Sequence, residues 1–405
     1  MGIFDLTAAN AALKELYDGQ SVMNMVYKNN PFLALVPKKT DFGGKYYPIP
    51  IQTGVSQGRS AVFSTAQANQ SSIVFQEFLL TRKRDYSIAQ IDNETMLASA
   101  TDKMAFINGA KRVVDGAIIS AKNSLASKLF RAGTGSIGAI GTISSGVITL
   151  SNPNDVVQFE VNMTIQANAT DGGTPRAAIG YVTNVDRAAG LVTVSATAMG
   201  GAAGTPSGWA AADFLLVQGD VNAAFSGLAA WLPTTAPTSA LFYGVDRSTD
   251  SWRLGGGRYN GGSQSLEEAI IDASALVARE DGMPDTLITN FASYSALEKS
   301  LGAKVQYINL NGPADVGFKG IVINGANSTI NVVPDRNCQA QTGYLLQMDT
   351  WALSTLGEAC SIQRYGDGLE MLRMSSSDAS ELRVATYGNL GCEAPGKNCV
   401  IQLSA

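Results

Sequence analysis

The sequence contains no histidine among its 405 residues. Serine and cysteine nucleophiles that depend on a histidine base are therefore excluded, and so is every metal site that needs an imidazole ligand. A hydrolase with a Ser–Lys pair or paired carboxylates stays open, but no motif in the chain points to one. We expect no catalytic residue, no cofactor and no metal.

Charge is scarce as well. Charged residues make up 16% of the chain and hydrophobic residues 45%, whereas about a quarter of an average soluble protein is charged. So few surface charges on a large chain are typical of a protein that hides much of its surface against partners. The net charge of -5 gives no basic footprint for nucleic-acid binding.

Cysteine is rare, and no two cysteines have the C-x-x-C spacing of a zinc ribbon. Cys392 and Cys399 flank a turn-like EAPGKN segment and could in principle form a disulfide. The start of the chain lacks the basic and apolar regions of a signal peptide, so we expect four reduced thiols. No apolar run has the length of a transmembrane helix, and we expect a soluble protein made in the cytoplasm.

The segment VPKKTDFGGKYYPIPIQTGVSQGRS (36–60) has the alternation of one arm of a β-hairpin, and SSIVFQEFLL (71–80) supplies a return strand. Two strands with a long polar tip are marginal alone in water. Proline removes a ladder donor, so Pro48 and Pro50 fit only an edge strand. The hairpin either folds back on its own domain or docks on an adjacent copy. The polar tip and the lack of a nearby third strand favour docking. The predicted faces are Tyr47, Ile49 and Ile51 on one side, and Tyr46, Pro48 and Pro50 on the other.

The longest helical pattern runs from about Asn93 to Arg131. Asp92 or Asn93 can cap its start, and Gly133 follows its end. If continuous, this helix would be about 55 Å long at ~1.5 Å per residue, which suits a structural spine. Its apolar residues keep to one helical face: Leu97, Met104, Ile107, Val114, Ile118, Ala121, Leu125 and Leu129.

Residues 133–220 contain no lysine and carry short β patterns between Gly, Asn and Asp turns. This composition predicts a small all-β sandwich or barrel inserted into a larger body. Beyond it, helices and strands mix, which makes the main body α+β. Ser265 with Glu268 predicts a capping box, Asn290 a helix cap, and residues 326–327 a hairpin turn.

The glycine cluster LGGGRYNGG (254–262) precedes a helix. No G-K-[ST] follows it, and the G-x-G-x-x-G spacing is not met in a strand–turn–helix unit. The cluster therefore indicates a flexible loop, of the kind that can line an opening between subunits.

The order of these parts resembles the major capsid proteins of tailed bacteriophages, which have the Hong Kong 97-like fold. The resemblance covers most of the chain outside 133–220. The extended loop is matched by NPFLALVPKKTDFGGKYYPIPI, the spine helix by DKMAFINGAKRVVDGAIISAKNSLASKLF, and the segment after the helix by FSGLAAWL. The axial domain is matched by MPDTLITNFASYSALEKSLG, GIVINGANSTINVVPDRN and GYLLQMDTWAL. The closing strands of the peripheral domain are matched by LRVATYGNLGCEAPGKNCVIQL.

The resemblance implies an α+β Hong Kong 97-like capsid fold with an inserted small all-β domain. Its segments are an N-terminal arm (1–35), an extended loop hairpin with flanking strands (36–92), the spine helix of the peripheral domain (93–132), the inserted β-rich domain (133–220), a return to the peripheral domain (221–240), the axial domain (241–355), and peripheral-domain strands with the C-terminus (356–405).

The resemblance also implies a structural protein. Its copies would form pentamers and hexamers that close into an icosahedral shell around phage double-stranded DNA, in a virion assembled in the host cytoplasm. Contacts between copies would involve the extended loop at Lys45, Tyr46, Tyr47, Ile49, Ile51, Arg59, Phe63 and Phe75, the N-terminal arm at Phe4, Leu6 and Tyr17, and a capsomer-centre loop at Arg253, Arg258 and Tyr259.

Other expected partners are a separate scaffolding protein, because only about 35 residues precede the extended loop, a portal and decoration proteins. DNA would be enclosed without sequence-specific binding, and no membrane is involved. An encapsulin-type nanocompartment shell is the alternative within the same fold. A secreted adhesin or tail component, suggested by the Gly/Thr-rich β segment, is disfavoured by the missing signal peptide and the long amphipathic helix.

Some members of the capsid family cross-link a loop lysine to an asparagine of a neighbour. The residues of suitable type here are Lys38, Lys39 and Lys45 as donors, and Asn389 or Asn398 as acceptors. The reaction also needs a buried acid nearby, which the sequence cannot place.

Overall fold

The computed structural model describes residues 30–92, 103–301, 307–309, 319–364, 371–375 and 377–404. The α-helices are α1 (Pro31–Leu35), α2 (Phe63–Ala68), α3 (Lys103–Lys128), α4 (Leu228–Trp231), α5 (Leu266–Ala278) and α6 (Phe291–Leu301). Short 3₁₀ helices span Pro153–Gln158, Met348–Thr350 and Pro395–Lys397. Across these ranges, no helix is both long enough and apolar enough to cross a membrane.

The strands are β1 (Lys38–Lys39), β2 (Tyr46–Gly54), β3 (Val74–Thr81), β4 (Lys83–Asp92), β5 (Ser136–Ser144), β6 (Val147–Leu150), β7 (Thr164–Asn168), β8 (Pro175–Asp186), β9 (Leu191–Ser195), β10 (Phe214–Val217), β11 (Leu241–Phe242), β12 (Val245–Asp246), β13 (Gly257–Asn260), β14 (Thr286–Thr289), β15 (Tyr307–Asn309), β16 (Lys319–Asn324), β17 (Thr329–Pro334), β18 (Thr342–Leu346), β19 (Trp351–Thr355), β20 (Ser361–Ile362), β21 (Met371–Arg373), β22 (Ala379–Cys392) and β23 (Cys399–Gln402).

A six-stranded sheet is organised around the long strand β22. One edge of β22 pairs with the whole of β4, and its other edge pairs in turn with β21, β20 and β19. Strand β1 joins β19 in parallel. Helix α3 packs on β4 and β22 and buries Val114, Ile118 and Leu125 in the main hydrophobic core. The apolar stripe predicted for the spine helix is therefore its buried face at these positions.

Helix α3 ends at Lys128, three residues before the predicted end at Arg131. The carbonyls of residues 129, 130 and 131 accept hydrogen bonds from the backbone N–H groups of Leu228, Ala229 and Gly227. Beyond Lys128 the helix tightens, because the N–H groups of Phe130 and Arg131 donate three residues back along the chain, and the free carbonyls at its end pair with a returning segment almost a hundred residues away. The predicted start, at 93–102, lies outside the described residues.

Residues 136–217 form a closed barrel with the strand order β10-β5-β6-β9-β8-β7. The barrel has a hydrophobic cluster of its own, in which Phe159, Ile140 and Val182 are fully buried. Arg176 binds the carboxylate of Asp213 through two nitrogens, each 2.6 Å from an oxygen. The short β patterns of this part of the chain therefore close into a barrel rather than a sandwich.

A seven-stranded sheet has the order β13-β23-β18-β14-β17-β16-β15, and α5 and α6 cover it with apolar side chains. Ser265 and Glu268 form the predicted capping box. The predicted cap of α6 is also confirmed, because Asn290 Oδ1 accepts from Ser293 N at 2.7 Å. The predicted turn at 326–327 joins β16 to β17.

Two strands lie in a different sheet from the one that the sequence segments imply. Strand β19 (Trp351–Thr355) falls at the end of the proposed axial segment, yet it pairs with β22 in the six-stranded sheet. Strand β23 falls in the proposed peripheral segment, yet it lies between β13 and β18. The chain therefore crosses between the two sheets around residues 348–350 and again around 395–397, where 3₁₀ helices make the connection.

A buried ion cluster joins α3, the six-stranded sheet and the exit of the barrel. Lys128 Nζ lies 2.9 Å from Asp85 Oδ1 and 2.8 Å from Asp220 Oδ2, and the Lys128 side chain is almost completely buried. Arg131 makes a second link, 2.7 Å from Asp155 in the barrel. Because these charges are removed from water, each depends on its partner.

Replacing Lys128 by methionine should leave the Asp85 carboxylate buried without its cation. We expect a loss of about 3–5 kcal/mol in the free energy of unfolding, measured by urea denaturation. Lys39→Met is the matched control, since it breaks an exposed ion pair of 2.9 Å with Glu393, and it should cost less than about 1 kcal/mol. Equal, small effects of the two substitutions would contradict a structural role for the cluster.

The four cysteines are free and buried, so the thiols expected from the sequence are confirmed and no disulfide joins Cys392 to Cys399. Burial raises the pKa of Cys360 to about 11 and the pKa of Cys392 and Cys399 to about 12. Burial also raises the pKa of Cys338 well above its usual value. A raised pKa means that the folded state holds the thiol proton more tightly than the unfolded chain.

The stability from these thiols is thus fully present below their ordinary pKa, and it falls as the pH rises toward the folded-state values. We expect the free energy of unfolding to decrease from about pH 9 upward, by at most about 1.4 kcal/mol per pH unit for each thiol. Urea midpoints between pH 7 and pH 11 measure this. A Cys399→Ala variant should show a shallower decline, and a pH-independent midpoint would refute the prediction.

Candidate assembly surface

Strands β2 and β3 form the predicted extended hairpin. Tyr47 pairs with Leu80 and Ile49 with Phe78. The alternation follows the sequence, since Tyr46, Pro48 and Pro50 are exposed while Ile49 is buried. The return strand begins at Val74 and ends at Thr81, slightly later than the predicted 71–80.

The base of the hairpin is anchored in the chain's own body. Ile49, Phe78 and Leu80 belong to the main hydrophobic core, and the Phe78 ring lies 5.1 Å from Trp231 and 6.1 Å from Phe242. The interpretation that the hairpin has no partner in its own chain is therefore wrong for its base. Its partners come from about 150 residues further along the chain, beyond the reach of a local pattern.

The two prolines lie on the free edge of β2. The N–H of Leu79 donates to Tyr243 O at 2.9 Å, so it points away from β2. Its partner Pro48, and Pro50 two residues on, therefore occupy positions whose nitrogens face the opposite edge. In the described part of the chain, no other strand pairs with β2 at that edge. As predicted, the prolines occupy an edge, and they deny donors there to any added strand.

The tip of the hairpin is an exposed apolar surface. Between β2 and β3 the chain forms α2, which has no buried residue and which the polar sequence of this region does not predict. Phe63 is 82% exposed and Phe75 is 65% exposed. An exposed apolar patch of this kind marks an interaction site. We define the hairpin tip surface as the large exposed apolar residues of this region: Val55, Val62, Phe63, Ile73, Val74 and Phe75.

A hydrogen bond links the start of the tip to the body. The register of the hairpin shifts between Gln52 and Gly54, which leaves Thr53 without a partner in β3. Arg253 Nη1 donates to the Thr53 carbonyl at 2.7 Å. Arg253, which the resemblance places in a capsomer-centre loop, thus contacts the hairpin at the point where the paired strands end.

The extended-loop residues that were predicted to contact another copy divide into a buried group and an exposed group. Ile49 is a core residue, which corrects its expected place in an interface between copies, and Tyr47 and Ile51 are half-buried. Lys45 lies 5.1 Å over the ring of Tyr46. The exposed members of the predicted set are Lys45, Tyr46, Arg59, Phe63 and Phe75. The predicted N-terminal contacts Phe4, Leu6 and Tyr17 lie outside the described residues.

At residues 257–260 the glycine-rich segment is a strand and not the expected flexible loop. These residues form β13, parallel to β23 from the end of the chain. Arg258 Nη2 donates to Ser251 O at 3.0 Å, and burial lowers the pKa of this guanidinium. The Tyr259 hydroxyl lies 2.8 Å from Asp272 Oδ2. Gly256, at φ +74°, has no room for a Cβ beside Leu232, so a glycine is needed for the backbone to pack this closely against that side chain.

Neither proposed cross-link acceptor is accessible. Asn389 and Asn398 are fully buried. Asn398 Oδ1 accepts from Trp351 Nε1 at 2.9 Å and from Gln347 N at 2.8 Å. Among the proposed donors, Lys39 pairs with Glu393, and burial lowers the pKa of Lys38 to about 8. Both amides are therefore engaged by partners inside the chain in this fold.

The described residues contain no group of Cys, Asp and Glu side chains placed to hold a metal ion. A cavity of about 440 Å³ lies between the barrel and α6. Its lining carries only uncharged polar and apolar groups, among them Asn154, Asn290, Ser293 and Gln341. The hairpin tip surface is therefore the candidate functional site that the described residues offer.

Comparison with known proteins identifies solved structures that have a similar architecture. No protein-family model and no curated protein matches the chain. Among solved structures, the cyanophage A-1(L) capsid asymmetric unit has a TM-score of 0.56 at 14% identity, over 93% of both chains. The capsid of a native GTA particle has a TM-score of 0.47 at 8% identity, over 92% of this chain and 90% of that one. A structure of Mycobacterium phage Bobi has a TM-score of 0.43 at 11% identity, over 94% and 92%.

The cyanophage similarity spans both chains almost completely. It confirms the resemblance at the level of the fold: this chain has the fold of a phage capsid chain.

Proposed function

We propose that this protein is the major capsid protein of a tailed bacteriophage, and that its copies assemble as pentamers and hexamers into an icosahedral shell around double-stranded DNA. One observation carries the proposal. A chain with a phage-capsid fold presents an apolar hairpin tip surface that the described part of its body leaves exposed.

Burial of the hairpin tip surface against a neighbouring copy would supply assembly energy. Full burial of an exposed phenylalanine is worth about 1.5–3 kcal/mol, and Phe63 and Phe75 are both largely exposed. Such a contact is weak singly, but in a closed shell every copy makes it. Many weak contacts suit a particle whose subunits must bind, correct their positions and then lock together.

The docking mode follows from the edge of β2. Pro48 and Pro50 remove two donors from that edge, so its pairing with a neighbouring strand is disfavoured there. Contact with the next copy is therefore made by side chains. The base, fixed by Phe78 and Leu80 in the core, holds the tip at a defined position relative to the body.

The charge balance suits a container for DNA. A net charge of -5 provides no phosphate-binding surface, because tight binding requires many lysine and arginine contacts. DNA would be enclosed without sequence-specific recognition, in a virion assembled in the host cytoplasm. A separate scaffolding protein, a portal and decoration proteins complete the proposed set of partners, and the barrel is an outward-facing domain of the shell.

A double substitution at the tip tests the proposal. Phe63→Ser with Phe75→Ser should leave the fold intact, because both side chains are exposed, and should lower the yield of closed shells at least about tenfold. Negative-stain microscopy and sedimentation measure the yield, with thermal unfolding as the check on folding. Met283→Ser, at a residue 52% exposed outside the hairpin, is the control.

Normal shells from the double variant would overturn the docking role of the hairpin tip surface. A wild-type protein that stays monomeric, alone and with a scaffolding protein, would overturn the capsid function itself. Nuclease-protected DNA inside purified particles separates a virion shell from a compartment that holds protein cargo.

A further inference from the structure

The short turn between β11 and β12 has an unexpected residue. Leu241 pairs with Asp246 and Phe242 with Val245, so Tyr243 and Gly244 are the two turn residues. Both have positive φ, at +50° and +89°. Hairpin turns of this kind favour Asn-Gly or Asp-Gly, because a side chain with a bulky Cβ substituent is strained at positive φ. A tyrosine at the first position is therefore strained, and its other contacts must offset that strain.

The barrel contains a second turn with which the β11–β12 turn can be compared. Strands β5 and β6 are joined by Ser145 and Gly146, with φ of +49° and +80°, and Ser144 pairs with Val147 across the turn. The two turns thus share their length and the sign of both φ angles. The barrel turn uses a small, exposed polar residue. The contrast indicates that Tyr243 is kept for its contacts and not for the turn.

Those contacts converge on the base of the extended hairpin. The Tyr243 hydroxyl lies 2.6 Å from Ser226 Oγ and accepts from Asn389 Nδ2 at 2.8 Å. Because the amide donates to this hydroxyl, the phenolic proton is available to Ser226. The ring stacks on Trp231, with centroids 6.2 Å apart, and packs 4.6 Å from Phe242.

Strand β3 is held at two points, once by the turn and once by Asn389 of β22. The Tyr243 carbonyl accepts from Leu79 N at 2.9 Å. Asn389, which donates to the Tyr243 hydroxyl, also donates to Thr81 O at 2.9 Å. Leu79 and Thr81 are the outward-facing positions of β3 that its pairing with β2 leaves available. The ring and hydroxyl therefore fix the turn, and the turn fixes the last residues of the hairpin.

We propose that Tyr243 is a positioning residue that locks the base of the extended hairpin and so sets the direction of the hairpin tip surface. The strained turn is retained because only a long aromatic side chain with a terminal hydroxyl reaches Ser226 and Asn389 together. The anchoring itself is a property of this single chain. Its consequence for shell assembly rests on the proposed function.

Hydrogen exchange of the hairpin amides tests the anchoring. In Tyr243→Asn, which suits the turn but loses the ring and hydroxyl, amides of Val74–Thr81 should exchange about tenfold faster, since losing ~1.4 kcal/mol of local stability gives this factor. Tyr243→Phe, which loses only the hydroxyl, should give a smaller increase. Amides of the barrel strands β7 to β9 should keep their wild-type rates in both variants.

Ser145→Asn is the matched control, because it places asparagine at the equivalent position of the barrel turn. It should leave hairpin exchange unchanged and hold or raise the melting temperature. The proposal is overturned if Tyr243→Asn behaves in the same way, with unchanged hairpin exchange and equal or higher stability. If Tyr243→Phe matches wild type while Tyr243→Asn does not, the hydroxyl has no part in the anchor and the assignment to Ser226 and Asn389 fails.

Assembly gives a separate readout. Tyr243→Phe should keep the fold yet yield fewer or irregular shells, because the tip would sample a wider range of directions. If the exchange results hold but wild-type protein forms no shells, the proposed function fails and the anchor stands. If wild type assembles and the variant with faster exchange assembles equally well, the link between hairpin direction and assembly is refuted.

Discussion

The side-chain amide of Asn389 is the interaction on which the arrangement of this molecule depends. Its oxygen accepts from Ser226 N and Leu390 N, at 2.9 and 3.0 Å, and its nitrogen donates to Thr81 O and the Tyr243 hydroxyl. An amide offers four such positions, and all are used. The residue is fully buried, so any lost partner would leave an unpaired polar group in the core. One side chain thus ties the return segment, the β11–β12 turn and the hairpin to strand β22.

This buried anchor separates two parts of the hairpin with opposite requirements. The base must be rigid, and it is packed among Phe78, Trp231 and Phe242. Under the proposed function, the tip must stay exposed in the single chain so that its apolar side chains are available to another copy. Apolar exposure of this extent is a liability for a monomer, and the low charge of the chain adds to it. Both features become favourable when the chain is one of many copies that cover each other's surfaces.

Local features were predictable from the sequence, and features that depend on distant partners were not. The capping box at Ser265, the alternation in β2 and the β patterns that close into the barrel each follow from a few neighbouring residues. The strand at Gly257–Asn260 forms only because β23 arrives from the chain end. The same limit applies to Asn389, whose residue type suggested an accessible cross-link acceptor. Its partners are contributed by residues 81, 226 and 243, and no spacing rule connects them.

The prolines of β2 and the strained turn at Tyr243 are linked by one requirement, which is that the hairpin be recognised selectively. A free strand edge would bind any exposed strand through backbone groups that carry no sequence information. Pro48 and Pro50 remove donors from that edge, so in the proposed shell a neighbouring copy would recognise the hairpin through side chains. Side-chain recognition is selective only if the side chains arrive in a fixed place, because apolar contact depends on close shape matching. A hairpin that gives up backbone pairing along the edge of β2 must therefore be held firmly at its base, which is the role proposed for the strained turn at Tyr243.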